Sequence, residues 1–121
     1  MNATGLIDQY CQAWTEPDPA RRAELLHSIW APGATYTDPS VHAANADELL
    51  SHIGNVQLRR PGAKVVRTSA VDFHHGMARF TWHVRLPDGS MILDGIDIAF
   101  LTADGSRIGC IIGFFGPLAH S

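Results

Sequence analysis

The sequence of 121 residues is poor in the features that most often announce a function. It has two cysteines, Cys11 and Cys110, far apart and each in an apolar stretch. That excludes a disulfide framework and points to buried free thiols. No apolar run approaches the ~20 residues of a membrane span. Lys and Arg total 9 against 12 Asp and Glu, for a net charge of −3, and the charges are scattered. Neither a nucleic-acid footprint nor a polybasic membrane helix is present. There is no Gly-rich phosphate loop and no nucleophile elbow, so nucleotide and serine-hydrolase chemistry drop out. No Cys/His/acid spacing completes a metal site. His74-His75 is the one tempting pair, and neighbours on a strand face opposite sides. No cofactor is expected. The start, Met1-Asn2-Ala3-Thr4, lacks the basic n-region and apolar run of a signal peptide, so a cytoplasmic protein is the default expectation.

What remains is a chain sized for one domain, 1–121, with 45% hydrophobic residues and 17% charged, enough for a single core. The first half has helical periodicity. Leu6, Ile7, Tyr10, Cys11 and Trp14 recur at three- and four-residue steps, which predicts a helix from about Thr4, its N-cap, to Glu16. Asp18-Pro19 opens a second, with Leu25, Leu26, Ile29 and Trp30 on its buried face and Pro32-Gly33 ending it. A short strand, Ala34 to Asp38, stops at Pro39. Asn45-Ala46-Asp47-Glu48 caps a third helix with Leu49, Leu50, Ile53 and Val56 inward. The second half alternates with period two. Strands are expected over Val65–Phe73, Met77–Leu86, Ser90–Leu101 and Arg107–Phe115, joined by His75-Gly76, Pro87-Asp88-Gly89 and Asp104-Gly105 turns. Helices first and hairpin-linked strands after give an α+β class, a curved antiparallel sheet covered by three N-terminal helices.

Three residues stand out because each is aimed inward: Tyr10 on the first helix, Asp38 closing the short strand, and Asp97 in Leu93-Asp94-Gly95-Ile96-Asp97-Ile98-Ala99. Both faces of that last strand are apolar, so Asp97 is buried whichever way it points. A buried carboxylate is costly unless it is paired or protonated. Bland roles compete: a turn residue for Asp38, a core aromatic for Tyr10, a structural acid for Asp97, and Asp94 in its place if Gly95 marks a bulge.

Four segments carry a resemblance: Ile7 to Trp14, Ile29 to Pro39 with its Asp-Pro end, Gly95-Ile96-Asp97, and Ile112-Gly113-Phe114-Phe115-Gly116. With the element order, they resemble the nuclear transport factor 2-like superfamily, and within it the SnoaL-like and ketosteroid-isomerase-like domains. The resemblance implies a cone-shaped, cystatin-like sheet around a cavity for a small hydrophobic molecule. It implies Asp38 as general base, Tyr10 and a protonated Asp97 as oxyanion donors, and a cavity wall of Trp14, Trp30, Tyr36, Phe80, Trp82 and Phe114. A cofactor-independent isomerase or cyclase acting on a small carbonyl compound is then expected. A non-catalytic binding module is the alternative. Family members often pair sheet to sheet, which implies a homodimer through the face bearing Arg79, Thr81, His83 and Arg85. The chain departs from the isomerase in having only Tyr10 and Tyr36 as tyrosines, and in its three bulky tryptophans.

Overall fold

The computed structural model describes residues 1–121. Helix α1 spans Ala3–Thr15 and buries Leu6, Ile7, Tyr10, Cys11, Ala13 and Trp14, the stripe that the periodicity predicts. Its cap is Asn2 rather than Thr4: Asn2 Oδ1 accepts from Gly5 N at 2.8 Å. Helix α2, Pro19–His27, is capped by Asp18 with Pro19 at its first position. It ends before Trp30, which starts strand β1, Trp30–Asp38. The reason is local. Ile108 N donates to Ile29 O at 2.7 Å and the Trp30 indole donates to Ala34 O at 3.1 Å, so these residues join the sheet edge. Pro32-Gly33, read as a helix stop, becomes an irregularity inside β1, with Gly33 at φ 76°.

Asp38 then builds the turn into β2, Val41–Ala43, an element too short for the alternation to reveal. Asp38 Oδ1 accepts from Ser40 N at 2.7 Å and Val41 N at 3.1 Å. Helix α3, Ala46–Arg59, is capped by Asn45 through Glu48 N at 2.9 Å. The remaining strands are β3 Lys64–Arg67, β4 Asp72–His74, β5 Met77–Arg85, β6 Met91–Leu101 and β7 Ile108–Phe115. The single strand expected over Val65–Phe73 is thus two, both paired with β5. Between them Ser69 Oγ takes the hydrogen bond of Thr81 N at 2.8 Å, and a side chain replaces the ladder.

The strands form one sheet in the order β2-β1-β7-β6-β5-β3, with β4 also on β5. The sheet is curved, unclosed and mixed, not antiparallel throughout. β1 runs parallel to β7, pairing Tyr36 with Ile111 and Thr37 with Ile112. Parallel partners need a long crossover, and the rest of the chain supplies it. The buried positions alternate as period two requires: Ala34 and Tyr36 on β1, Ala78, Phe80 and Trp82 on β5, and Gly95, Asp97 and Ala99 on β6. This face packs against the helices and forms the core.

Candidate active site

The register of the sheet decides which polar groups meet. Asp97 pairs with Phe80 on one side and Gly113 on the other. On the far side of β7, Thr37 pairs with Ile112, which sets Asp38 next to Gly113. Two acids therefore flank a glycine on the inner face of the sheet. A methyl group on Gly113 would lie 2.5 Å from Asp97 Oδ1 and 3.7 Å from Asp38 Cβ, so only glycine leaves the carboxyl group this position. Asp94, the other acid of the strand, is exposed.

Asp97 is 3% exposed, and its Oδ1 accepts from Trp82 Nε1 at 2.9 Å. Trp82 pairs with Gly95 across β5 and β6. The missing side chain at Gly95 is where the indole lies: a methyl group there would sit 2.5 Å from the ring. Burial pushes the Asp97 carboxyl up to about 7; the Trp82 bond and, more weakly, the Tyr10 hydroxyl oppose the rise, and the charge of Asp38 adds to it. Near neutral pH much of the population holds the proton. With Oδ1 engaged as an acceptor from Trp82, Oδ2 is the oxygen left to carry that proton, with the Tyr10 hydroxyl close to the same carboxyl. Because the folded state holds this proton more tightly than the unfolded chain, the stabilisation is complete below about pH 4. It is lost as pH rises toward about 7.

Asp38 has the opposite surroundings. Tyr36 Oη donates to Oδ2 at 2.5 Å, Ser40 Oγ donates to Oδ1 at 2.7 Å, and the two turn amides complete the set. All four contacts donate to its carboxyl oxygens. The two acids therefore sit in contrasting environments, Asp38 ringed by donors and Asp97 buried beside the Trp82 indole.

Tyr10 comes from α1. Its ring stacks on Trp30 at 6.2 Å and 12°, and meets Trp14 edge-on at 6.4 Å. Burial, with Tyr36 and Asp97 nearby, raises the Tyr10 phenol well above its ordinary value. Tyr36 is raised too, by burial first and then by the charge of Asp97. Both phenols keep their protons at any physiological pH, and Tyr36 donates its own to Asp38.

These groups share one cavity of about 550 Å³, within the range of small-molecule sites. Tyr10, Asp38 and Asp97 all line it, as do Trp14, Tyr36, Phe80 and Trp82. Two expected wall residues do not. Trp30 sits behind Tyr10 as its stacking support. Phe114 faces outward, 60% exposed, and Phe115 takes the wall instead. A one-residue error in strand parity inverts a side chain's face, and it does so here. His52, Ser40, Gln57, Arg59 and Arg60 also line the cavity and were not anticipated. His52 and Arg59 lie at i−4 and i+3 of Val56, on the edge of the apolar stripe of α3, so the signal was their helical spacing beside that stripe. His52 stands edge-on to Trp14 at 5.7 Å, and burial lowers its pKa, with Asp38 opposing and Arg59 adding to the fall. His42 turns away to Thr37 Oγ1 at 2.7 Å, and His83 lies on β5 with Nε2 buried and unpartnered.

His74 and His75, expected to diverge, face each other with Nδ1 atoms 3.1 Å apart, because His75 adopts φ 49°. No group of three or more His, Cys, Asp and Glu side chains gathers anywhere to hold a metal ion. No helix is long and apolar enough to cross a membrane.

No protein-family model matches the sequence, and no curated protein matches it. Solved structures do. A proposed isomerase of the SnoaL-like family from Agrobacterium tumefaciens is 29% identical, with a TM-score of 0.86 over 93% of this chain and 96% of that one. A proposed polyketide cyclase from Sinorhizobium meliloti is 14% identical, with a TM-score of 0.70 over 90% and 93%. A protein of ketosteroid isomerase-like fold from Catenulispora acidiphila, in complex with trimethylamine, is 10% identical, with a TM-score of 0.73 over 96% and 88%. NTF2-like and cystatin-like proteins stand among the other neighbours.

Proposed function

From an NTF2-like fold with isomerase and cyclase neighbours, we propose that this chain is a cofactor-independent enzyme of proton transfer, an isomerase or cyclase acting on a small, mostly apolar carbonyl compound. One observation carries the reading: two acids on the inner face of the sheet, one surrounded by donors and one held near pKa 7, open onto the same apolar cavity. Asp38 takes a proton alpha to the carbonyl. Tyr10 and neutral Asp97 donate to the oxygen as enolate charge builds. A preorganised donor in a dry site contributes about 3 kcal/mol to such a transition state. Trp82 fixes the Asp97 carboxyl, and Tyr36 fixes Asp38.

Phenols and naphthols of graded acidity mimic the enolate without reacting. Affinity should rise with ligand acidity, fall in Asp97→Asn, and weaken above about pH 7 as Asp97 ionises beside the bound oxyanion. Weak, acidity-blind binding that Asp97→Asn leaves alone would make Asp97 structural. The cavity would then belong to a non-catalytic binding module.

The reading includes a homodimer. The outer face of the sheet, carrying Thr81, Ile96, Ile98, Phe100, Ile112 and Phe114, is covered by no helix, and Phe114 and Phe100 are 60% and 37% exposed. A second copy placed sheet to sheet would bury it. Light scattering should give twice the 13.2 kDa chain mass, and Phe114→Asp should halve it. A wild-type monomer at micromolar concentration would overturn this.

A further inference from the structure

The charges around the cavity are segregated. Asp38 and Asp97 are its only acidic lining residues, and both sit on the sheet that forms the floor. Arg59 and Arg60 line it as well, from the far end of α3, and both are exposed. Consecutive residues on a helix diverge by ~100°, so two neighbours seldom share one target. Here they do, because Arg60 is the C-cap and leaves helical geometry at φ −132°, ψ 68°. Neither guanidinium is in a salt bridge; Arg22, Arg85 and Arg107 also lack an acidic partner, but none of those three lines the cavity. An arginine in the last turn complements the helix dipole. That accounts for Arg59 near the end of α3 and leaves unexplained why both side chains line the cavity. From β6, Ile92 and Leu93, 41% and 37% exposed, add apolar surface to the same cavity.

We propose that the substrate is an amphipathic organic acid, whose carboxylate docks on Arg59 and Arg60 at the mouth while its carbonyl reaches Tyr10, Asp38 and Asp97 at the floor. This deepens the acid–base reading and rests on it. The charge layout sets the orientation. The Asp38 carboxylate repels an anion from the floor, the two arginines attract it at the mouth, and Ile92 and Leu93 hold the carbon skeleton between. Planar guanidinium groups suit a carboxylate because they offer paired donors in a fixed fork. The chain as a whole is negative, at −3, so the attraction is local to the mouth and works against the long-range field.

A pair of probes separates mouth from floor: 2-naphthol, and 6-hydroxy-2-naphthoate, which adds a carboxylate at the opposite end. The readout is the ratio of their dissociation constants, each variant serving as its own reference. Wild type should bind the naphthoate about tenfold more tightly, as charge-assisted pairing at a partly solvated site allows. The preference should shrink at high salt, vanish in the double variant R59Q/R60Q, and survive in reduced form in R59K/R60K. Equal affinities in wild type, or a preference untouched by R59Q/R60Q, would overturn the assignment. Failure of the floor looks different. If Asp97→Asn leaves both affinities unchanged while the arginine-dependent preference persists, the anion site stands and the acid–base reading falls. If Asp97→Asn weakens both probes and no carboxylate preference exists, the acid–base reading stands and the anion site falls.

Discussion

Asp38→Asn should slow exchange of the α-protons of 2-tetralone into D₂O by a factor on the order of 10³, the usual worth of a positioned general base. Proton NMR follows the loss of the α-proton signal directly, and needs no knowledge of the natural substrate. The fold should survive, because the amide can satisfy the same partners. Its carbonyl oxygen accepts from Ser40 Oγ, Ser40 N and Val41 N. Its NH₂ then faces the Tyr36 hydroxyl, which can rotate to accept instead of donating. What the variant loses is the proton acceptor and one negative charge. The second loss has its own consequence. The Asp38 charge is one of the causes that raise Asp97. Without it Asp97 ionises at a lower pH than about 7, still elevated by burial, which is the larger cause. Naphthol binding in Asp38→Asn should therefore begin to weaken at a lower pH than in wild type. Exchange that proceeds at the wild-type rate would remove Asp38 from the chemistry, whatever the pH profile shows.

The helices were legible because their signals are local. The stripe from Leu6 to Trp14, Asp18-Pro19 at the start of α2 and the Asn45 cap each lie within one or two turns of chain. The hairpins from His75 onward were legible for the same reason: alternation and Asp-Gly or His-Gly turns are short-range patterns. Apart from the α1 cap, at Asn2 and not Thr4, failures came where a distant partner overrides the local pattern. Trp30 is a plausible last residue of a helix until β7, some eighty positions later, offers Ile108 to its neighbour Ile29. The parallel pairing of β1 with β7 leaves no mark in either segment. The site divides along the same line. Asp97 announced itself as a carboxylate between apolar faces. Its meeting with Asp38 depends on register across three strands, and on Gly113 being bare between them. Resemblance could suggest that meeting, and periodicity could not. Phe114 and Phe115 show how thin the margin is, since both are apolar and only their parity decides which one faces the cavity.

Gly95→Ala should be the most damaging methyl group that can be added to this sheet. Its Cβ would lie 2.4 Å from the Phe114 carbonyl oxygen, and 2.5 Å and 2.9 Å from two atoms of the Trp82 ring. The first clash is with backbone held in the β6–β7 ladder, so it is relieved only by parting the strands. Overpacking of this kind costs about 3 kcal/mol, roughly 12 °C in Tm for a chain of this size. Gly109 sets the contrast, since its added Cβ would meet the Phe100 carbonyl at 3.3 Å, a distance that a small shift accommodates. Function should fall with stability in Gly95→Ala, because the displaced indole is the donor to Asp97 Oδ1. Trp82→Phe separates the two effects: it keeps a ring over Gly95 but deletes the N–H. Asp97 then loses the larger of the two contacts that oppose its rise, so its proton should be held to higher pH than in wild type. Naphthol binding should extend further into alkaline solution in that variant, while Gly95→Ala binds weakly at every pH. A Gly95→Ala protein that melts within a few degrees of wild type and binds naphthols normally would mean that the indole does not rest on Gly95 in solution. The positioning of Asp97 by Trp82 would fall with it.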